Sequence, residues 1–203
     1  MTRYSPFFFV LITLACLFCS CTKNVEKGQQ KVDSSSLEWL PGASKTIVFK
    51  SPSTITPFSL TTNTRKENYV ASPNCDGHFP KETCYHYQMQ QVFITGNTSN
   101  HKFSVTYALI RSINENAFYD RLEISMFENE KTFANMATIV WAENASQLAE
   151  ASGYNFLYND ITLEGKTFQN VYHKIDLGGE LYYNKEKGVV AFKTGDGILW
   201  VLQ

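Results

Sequence analysis

The feature that most constrains the fold is an alternation of apolar and polar residues that recurs along the chain after Lys45. Residues 101–109 show it most clearly, because every second side chain is large and apolar: Phe103, Val105, Tyr107 and Leu109. Successive side chains of a β-strand point to opposite faces of the sheet, so a period of two marks a strand with one buried face. The pattern therefore predicts strands rather than amphipathic helices.

Three neighbouring stretches continue the alternation. Residues 85–94 place Tyr85, Tyr87, Met89 and Phe93 on one side of a strand and His86, Gln88 and Gln90 on the other. Further along the chain, the apolar positions are Leu122, Ile124 and Met126, followed by Phe133, Ala137, Ile139 and Trp141. Polar segments at 96–100 and 128–131 have the composition of turns. Together these stretches predict an antiparallel meander.

The remaining strands are predicted from turn residues and short apolar runs. Residues 46–49 and 55–62 are expected to be strands, with Pro57 at an edge or a bulge. The dipeptide Glu164-Gly165 separates two short apolar segments and predicts a hairpin with a two-residue turn. Two further turns, at 184–188 and 195–197, lead into the apolar runs that end the sequence.

These patterns predict a mainly β fold. We expect a single antiparallel-sheet domain over residues 41–203, built as a curved sheet, a half-barrel or a sandwich. One short helix is expected near residues 145–152, because Asn144 is a good N-cap and Gly153 is suited to the C-terminal stop.

The N-terminal residues have a different character and indicate export. Arg3 is followed by an apolar run over residues 7–18 that only Thr13 interrupts. This run is shorter than the roughly 20 residues that a helix needs to cross a bilayer. We therefore interpret residues 1–20 as a signal peptide that is removed.

The end of this segment reads Phe18-Cys19-Ser20-Cys21. An apolar residue stands three positions before the last cysteine, small residues lie between them, and a polar tail follows. The segment resembles the lipobox of bacterial lipoproteins, although Phe18 and Cys19 depart from its usual residues and Cys16 offers a competing cleavage site. The resemblance implies that Cys21 is lipidated and anchors the protein to the membrane. The alternative is ordinary signal cleavage beside an incidental Cys21.

The residues after Cys21 are polar and include a serine cluster. Such a composition buries little surface and is typical of flexible linkers. We therefore expect residues 21–40 to be a lipid anchor and tether. The expected location is the bacterial cell envelope, at the periplasmic or surface side of the outer membrane.

Five cysteines fall at positions 16, 19, 21, 75 and 84. After signal removal and lipidation, Cys75 and Cys84 remain as a pair in an oxidising compartment, so we expect a disulfide. Closing so short a loop stabilises a fold by roughly 2.5 to 3 kcal/mol in the chain-entropy estimate. A metal site from these cysteines with His78 and His86 is the alternative, but their spacing matches no familiar zinc pattern.

Charge and motif content argue against several classes of function. The net charge of −1, from 18 basic and 19 acidic residues, does not suit a nucleic-acid-binding protein. The sequence holds no H-E-x-x-H, G-x-S-x-G, P-loop or G-x-G-x-x-G motif. His86 and His173 lie in predicted strands, where we expect exposed polar residues. The sequence thus predicts no catalytic residue, no cofactor and no metal.

Two C-terminal segments combine glycine turns with aromatic strands: GKTFQNVYHKI at 165–175 and ELYYNKEKGVVAFKTGDGILWVL at 180–202. They resemble the C-terminal part of small hypothetical lipoproteins of Bacteroidota-type bacteria. The resemblance implies paired hairpins and an envelope location. It brings no activity and no functional residue.

Three classes of function remain open. A non-catalytic lipoprotein that binds an envelope protein or stabilises an assembly fits the absence of motifs best. The alternative is a carrier of lipid or another apolar ligand in a concave sheet pocket, suggested by an aromatic content of 14%. The third is a hydrolase without a recognisable motif. An exposed apolar patch favours the first, an enclosed apolar cavity the second, and a polar cleft with clustered histidine and carboxylates the third.

Overall fold

The fold is mainly β, as predicted. A computed structural model describes residues 26–42, 46–52, 58–71, 84–98, 101–114, 117–143, 153–176 and 178–203. Its strands are β1 (Glu26–Gln30), β2 (Thr46–Lys50), β3 (Phe58–Ala71), β4 (Cys84–Asn97), β5 (Lys102–Asn114), β6 (Ala117–Glu128), β7 (Lys131–Ala142), β8 (Phe156–Leu163), β9 (Lys166–Asp176), β10 (Gly179–Asn184), β11 (Gly188–Lys193) and β12 (Leu199–Leu202). A 3-10 helix spans Ser34–Trp39. The helix predicted near 145–152 and the edge residue Pro57 lie outside the described residues.

The chain divides into two compact units, Met1–Gln29 with Ala71–His86, and Gln30–Val70 with Tyr87–Gln203. The second unit contains most of the described strands and all of the features discussed below. Its strands follow the order β7-β6-β5-β4-β3-β2-β12-β11-β10-β9-β8, so the path is open with β7 and β8 at its ends. Successive neighbours in the meander β4 to β7 and in the chain β8 to β12 pair antiparallel.

The two halves of the path pack face to face over an aromatic core. Phe103 of β5 lies 5.5 Å from Phe192 of β11 and 5.8 Å from Trp200 of β12, measured between ring centroids. In the same core, the ring centroid of Tyr107 on β5 lies 6.4 Å from that of Tyr183 on β10. A smaller core covers the opposite face of β9 to β12, with Phe168, Val171, Tyr182, Val190, Ala191 and Val201. Each face of the C-terminal strands thus contributes to a different core, which explains why these strands are apolar on both faces.

The predicted hairpins are confirmed where the structure describes them. Asn129 and Glu130 between β6 and β7 have φ of 49° and 70°, and Glu164 and Gly165 between β8 and β9 have φ of 49° and 75°. Positive φ at both central residues is the geometry of the tight turn that matches the twist of paired strands. Gly179 meets a different demand, since a Cβ there would lie 2.6 Å from Cδ2 of Phe133. Only glycine lets β10 approach β7 so closely.

The alternation along β4 is confirmed, but the predicted apolar side is not the buried one, because Tyr87, Met89 and Phe93 are only half-buried. The buried face carries Gln88 and Gln90, which are 6% and 5% exposed. These residues share that face with Val92 and Ile94, which are fully buried. Burial of an amide is tolerated when it is hydrogen-bonded. The Gln88 amide satisfies this condition, because its Oε1 accepts from the Val32 amide at 2.9 Å and its Nε2 donates to Glu67 at 2.7 Å.

The predicted face of β7 is wrong beyond Phe133. The pairing of β6 with β7 shifts register between Met126 and Phe127, so Phe133 is an extra residue on β7. A bulge of this kind inverts the alternation downstream. The buried positions are therefore Ala134, Met136 and Thr138, while the predicted Ala137 and Ile139 are half-buried. A second register shift, between Asp120 and Arg121, brings the half-buried Trp141 opposite the buried Asp120 and so restores the predicted face there.

Residues 31–40, which we name the strap, are the largest departure from the sequence interpretation. The prediction of a flexible tether up to residue 40 is wrong for this segment, because Val32, Ser36 and Leu40 are buried in the core. Asp33 caps the 3-10 helix through a hydrogen bond from the Ser35 amide. The serine cluster of the strap conceals this packing, although Leu37 and Trp39 also pack against the core.

Candidate functional site

The strongest candidate site lies on β8, β9 and β10, around His173. In the register of these strands, His173 of β9 stands between Phe156 of β8 and Tyr182 of β10. The residue is 5% exposed. The prediction of an exposed polar histidine is therefore wrong here, because aromatic side chains of both neighbouring strands cover the imidazole.

Three aromatic rings stack around this imidazole. The Tyr182 ring lies 4.1 Å from it, centroid to centroid, at an angle of 7°. On the other side, Phe156 and Tyr158 lie at 5.7 Å and 5.9 Å with angles near 30°. Stacking on three rings fixes the plane of the histidine side chain. The imidazole is thus a rigid part of the sheet surface.

The carboxylate of Glu180 makes polar contacts with three side chains of this cluster. Its Oε2 contacts Nε2 of His173 at 3.1 Å and accepts from the Tyr182 hydroxyl at 2.6 Å. Its Oε1 accepts from Nζ of Lys193 at 3.1 Å. Burial disfavours the charged carboxylate, but the hydrogen bonds from Tyr182 and Lys193 outweigh burial and lower the pKa of Glu180. Glu180 is therefore the anionic centre of the cluster.

Burial also sets the protonation of the histidine. It lowers the pKa of His173, although Glu180 acts in the opposite direction. The neutral ring is therefore the form at neutral pH, with its Nε2–H available to Glu180. Its Nδ1 is buried and has no hydrogen-bond partner among the described residues. Such a cluster holds side chains of four strands, β8 to β11, in one arrangement.

The strand beside this cluster is the end of the sheet path. β8 pairs with β9, and no other described strand pairs with it. Phe156 and Leu157 at its start are 48% and 49% exposed, and Ile175 on β9 is 50% exposed. An edge strand offers unpaired backbone N–H and C=O groups to another chain. Here those groups lie beside the largest exposed apolar side chains of the described part of the protein.

A cleft, separate from the His173 cluster, lies between β6, β7 and the end of β9. It is an open cleft of about 440 Å³, lined by Glu123, Ser125, Asn135, Met136, Ala137, Gly153, Lys174 and Asp176. Its charged groups are two carboxylates and one ammonium, and Glu123 pairs with Arg121. This polar lining does not match an apolar ligand. His173 is not among the lining residues, so the cleft and the histidine cluster are separate features.

Several sequence-predicted site residues lie beyond the reach of the structure. Cys21, Cys75 and His78 are outside the described residues, and Cys84 is the first residue of β4. The lipid anchor and the disulfide therefore stay predictions. Within the described ranges, no group of three or more histidine, cysteine or acidic side chains could hold a metal ion. No helix in the described part of the chain is long and apolar enough to cross a membrane.

The sequence interpretation missed the link between His173, Glu180 and Tyr182. These residues lie within nine positions of one another, across the turn at Gly178. Hairpin register about that turn would place His173 opposite Tyr182, and this was the available signal. Glu180 then joins the pair from the next position but one on the same face of β10.

No protein-family model, no curated protein and no solved structure matches this chain significantly.

Proposed function

We propose that this protein is a membrane-anchored bacterial envelope lipoprotein that acts by binding a partner protein rather than by catalysis. The proposed anchor is Cys21, through the lipobox-like sequence that precedes it. The observation that carries the binding role is the β8 edge with its exposed apolar residues Phe156 and Leu157. The partner is expected to add a strand to β8.

Strand addition fits the chemistry of this edge. Main-chain hydrogen bonds to an exposed strand provide affinity, and neighbouring apolar side chains provide specificity. None of the eight residues of β8 is buried, and five of them are exposed. The aromatic cluster around His173 keeps the neighbouring strand rigid, which reduces the entropy lost when a partner binds.

The carrier alternative receives less support from the packing. The aromatic side chains that alternate along the strands contact one another in the core, with Phe49 5.2 Å from Phe192 and Phe103 5.5 Å from Phe192. Side chains in such contact fill the space that an apolar ligand would need. The cleft between β6, β7 and β9 is polar, so it does not replace that space.

The test compares the parent protein with a charged edge variant, Phe156→Lys/Leu157→Lys, in cells that make the protein. Chemical cross-linking in the intact envelope, followed by purification and mass spectrometry, measures the partner. Lysine at an edge strand discourages strand addition. We expect the cross-linked partner to fall by at least about tenfold, the change given by about 1.4 kcal/mol of lost binding.

The matched control is Gln169→Lys, which adds a lysine at an exposed position of β9, inside the sheet path rather than at its edge. This variant should retain the cross-linked partner and melt like the parent. The edge variant loses one of the three rings stacked on His173, so its capture is measured at a temperature well below its own melting temperature. Equal capture by the edge variant and the control would contradict binding at β8. Release of a small product from candidate substrates by the purified protein would contradict the non-catalytic role.

A further inference from the structure

The edge strand β8 carries a polar pair at its centre. Asn159 and Asp160 stand in the middle of this strand, and both are exposed. Neither side chain forms a hydrogen bond or an ion pair within the described part of the chain. In that part of the chain, β8 pairs only with β9. An amide and a carboxylate at the centre of the edge are therefore available to another chain.

Apolar side chains of β8 flank this polar pair on one face of the sheet. On one side of the pair, Phe156 and Tyr158 stack on the imidazole of His173. On the other side, Ile161 and Leu163 pack against the smaller core, a member of which also stacks on His173. All four apolar side chains therefore lie on the side of the sheet where the smaller core lies.

A break in the alternation makes this arrangement possible. In a regular strand, Tyr158 and Ile161 would point to opposite faces because they are three positions apart. The pairing of β8 with β9 passes from Tyr158 to Asp160 without pairing Asn159. At the corresponding point of β9, Asn170 has a φ of 51°. The strand thus changes face at its polar centre, and its pattern of apolar and polar residues is similar in both directions.

A second copy of β8 matches this pattern when it runs antiparallel with Asn159 opposite Asp160. The amide of one copy then faces the carboxylate of the other, and two-fold symmetry repeats this contact. Cross-strand neighbours in an antiparallel pair lie on one face and contact each other. The remaining opposed residues also agree in face: Phe156 with Leu163, Tyr158 with Ile161, and Leu157 with Thr162. The edge is therefore complementary to itself in this register.

Neighbouring registers lack this match. A shift by one residue places the apolar residues of the two copies on opposite faces. A shift by two residues restores the faces but brings the Asp160 carboxylate opposite Leu157 or Ile161, where it loses water without gaining a partner. Of these registers, the one with Asn159 opposite Asp160 places no charge against an apolar side chain.

We propose that the partner that adds a strand to β8 is a second copy of this protein, paired antiparallel about a two-fold axis between Asn159 and Asp160. The inference rests on the proposed function, because it names the partner of the same edge. Pairing makes the two sheets continuous and covers the exposed edge of both copies. It also brings Leu163 of each copy against Phe156 of the other, which covers a ring that is 48% exposed in the single chain.

The experiment produces two copies of the full chain in one cell, each with a different epitope tag. After chemical cross-linking in the intact envelope, capture through one tag and immunoblotting for the other measure self-association. When both copies carry Asn159→Asp, carboxylates face each other at two symmetry-related places. We expect co-capture to fall at least about tenfold, because like charges directly opposite each other destabilise a strand pair.

Two further variants make this test specific. The exchanged variant Asn159→Asp/Asp160→Asn has the charge of the parent and again places an amide opposite each carboxylate, so it should recover the co-capture of the parent. The matched control Gln169→Glu adds a carboxylate at an exposed position of β9 and should also behave like the parent. Because the substituted side chains are exposed, each variant should melt like the parent.

The outcomes separate this inference from the proposed function. Co-capture that Asn159→Asp does not lower, or that the exchanged variant does not recover, would overturn the pairing of two copies at β8. If no second copy is captured from parent cells while Phe156→Lys/Leu157→Lys loses a different cross-linked protein, the second copy is overturned as the partner and binding at β8 stands. If that edge variant loses no cross-linked protein at all, the proposed function and this inference fail together.

Discussion

Arg111 and Asp120 face each other across β5 and β6, with Nε and Oδ1 3.0 Å apart and both side chains almost fully buried. The second carboxylate oxygen of Asp120 accepts from the Ser36 hydroxyl at 2.6 Å. Burial raises the pKa of Asp120, while hydrogen bonds from Ser36 and the Asp33 amide, together with Arg111, act against that rise. One ion pair therefore joins the sheet to the strap.

The first prediction concerns this pair. The variant Arg111→Met should lose about 3 to 5 kcal/mol of unfolding free energy, because Asp120 is left as a buried charge without its partner. Urea denaturation measures the loss. Replacing both residues, as Arg111→Met/Asp120→Asn, should recover part of it. A single variant as stable as the parent would mean that the ion pair does not hold the strap.

The second prediction concerns the anchor. Because Cys21 ends the lipobox-like sequence, Cys21→Ala should move the protein from the membrane fraction to the soluble or unprocessed pool. Cell fractionation and immunoblotting measure the shift, and Cys19→Ala serves as the matched control. Normal processing and unchanged membrane association of Cys21→Ala would rule out lipidation at this position.

The third prediction concerns the disulfide between Cys75 and Cys84. Peptide mapping of the exported protein without reductant should recover the two cysteines in one linked pair. Removing both should cost about 2 to 3 kcal/mol without abolishing the fold, because the closed loop is short. Two free thiols that react with an alkylating agent in freshly purified protein would contradict the pairing.

The fourth prediction concerns the last strand. Trp200 is 3% exposed and packs against Phe103 and Phe192, so Trp200→Ala should cost roughly 3 to 5 kcal/mol. Leu202 is half-buried, and Leu202→Ala should cost less. Removal of residues 196–203 should leave a protein that proteases degrade rapidly. A truncated chain that melts like the parent would show that β12 is dispensable for the core.

The fifth prediction concerns pH. Burial lowers the pKa of His173 below its ordinary value of 6.5, so the unfolded chain binds a proton more readily than the folded one. The stabilising contribution is present above the unfolded value of about 6.5 and is lost as the pH falls below it, through the lower pKa of the folded state. Melting temperature should therefore decline between about pH 7.5 and 5, and the decline should be smaller in His173→Gln. Parallel pH profiles for the two proteins would contradict a buried neutral histidine.

The sequence predicted the structure correctly where the signal lies within a single strand or turn. In residues 103–109 of β5 and 122–126 of β6 every second residue is a large apolar side chain, so these buried faces follow from the pattern alone. The turn at Glu164 and Gly165 is equally local, since Gly165 readily adopts the positive φ that the hairpin needs. In β4 the alternation is visible in the sequence, but it does not show which of the two faces is buried. The burial of Gln88 depends on Val32 and Glu67, which are distant in the sequence.

The sequence by itself determined the β class, the core faces of β5 and β6 and the hairpin turns, because these follow from side-chain periodicity and backbone preference within a few residues. The tertiary structure decided the bulge at Phe133, the burial of His173 and the packing of the strap. Each of these depends on contacts between residues far apart in the chain or on neighbouring strands, as when Arg111 binds Lys31. The strap mixes serines and charged residues with apolar ones and has no strand or helix period, so its packing and hydrogen bonds become visible only when the partner strands are in place.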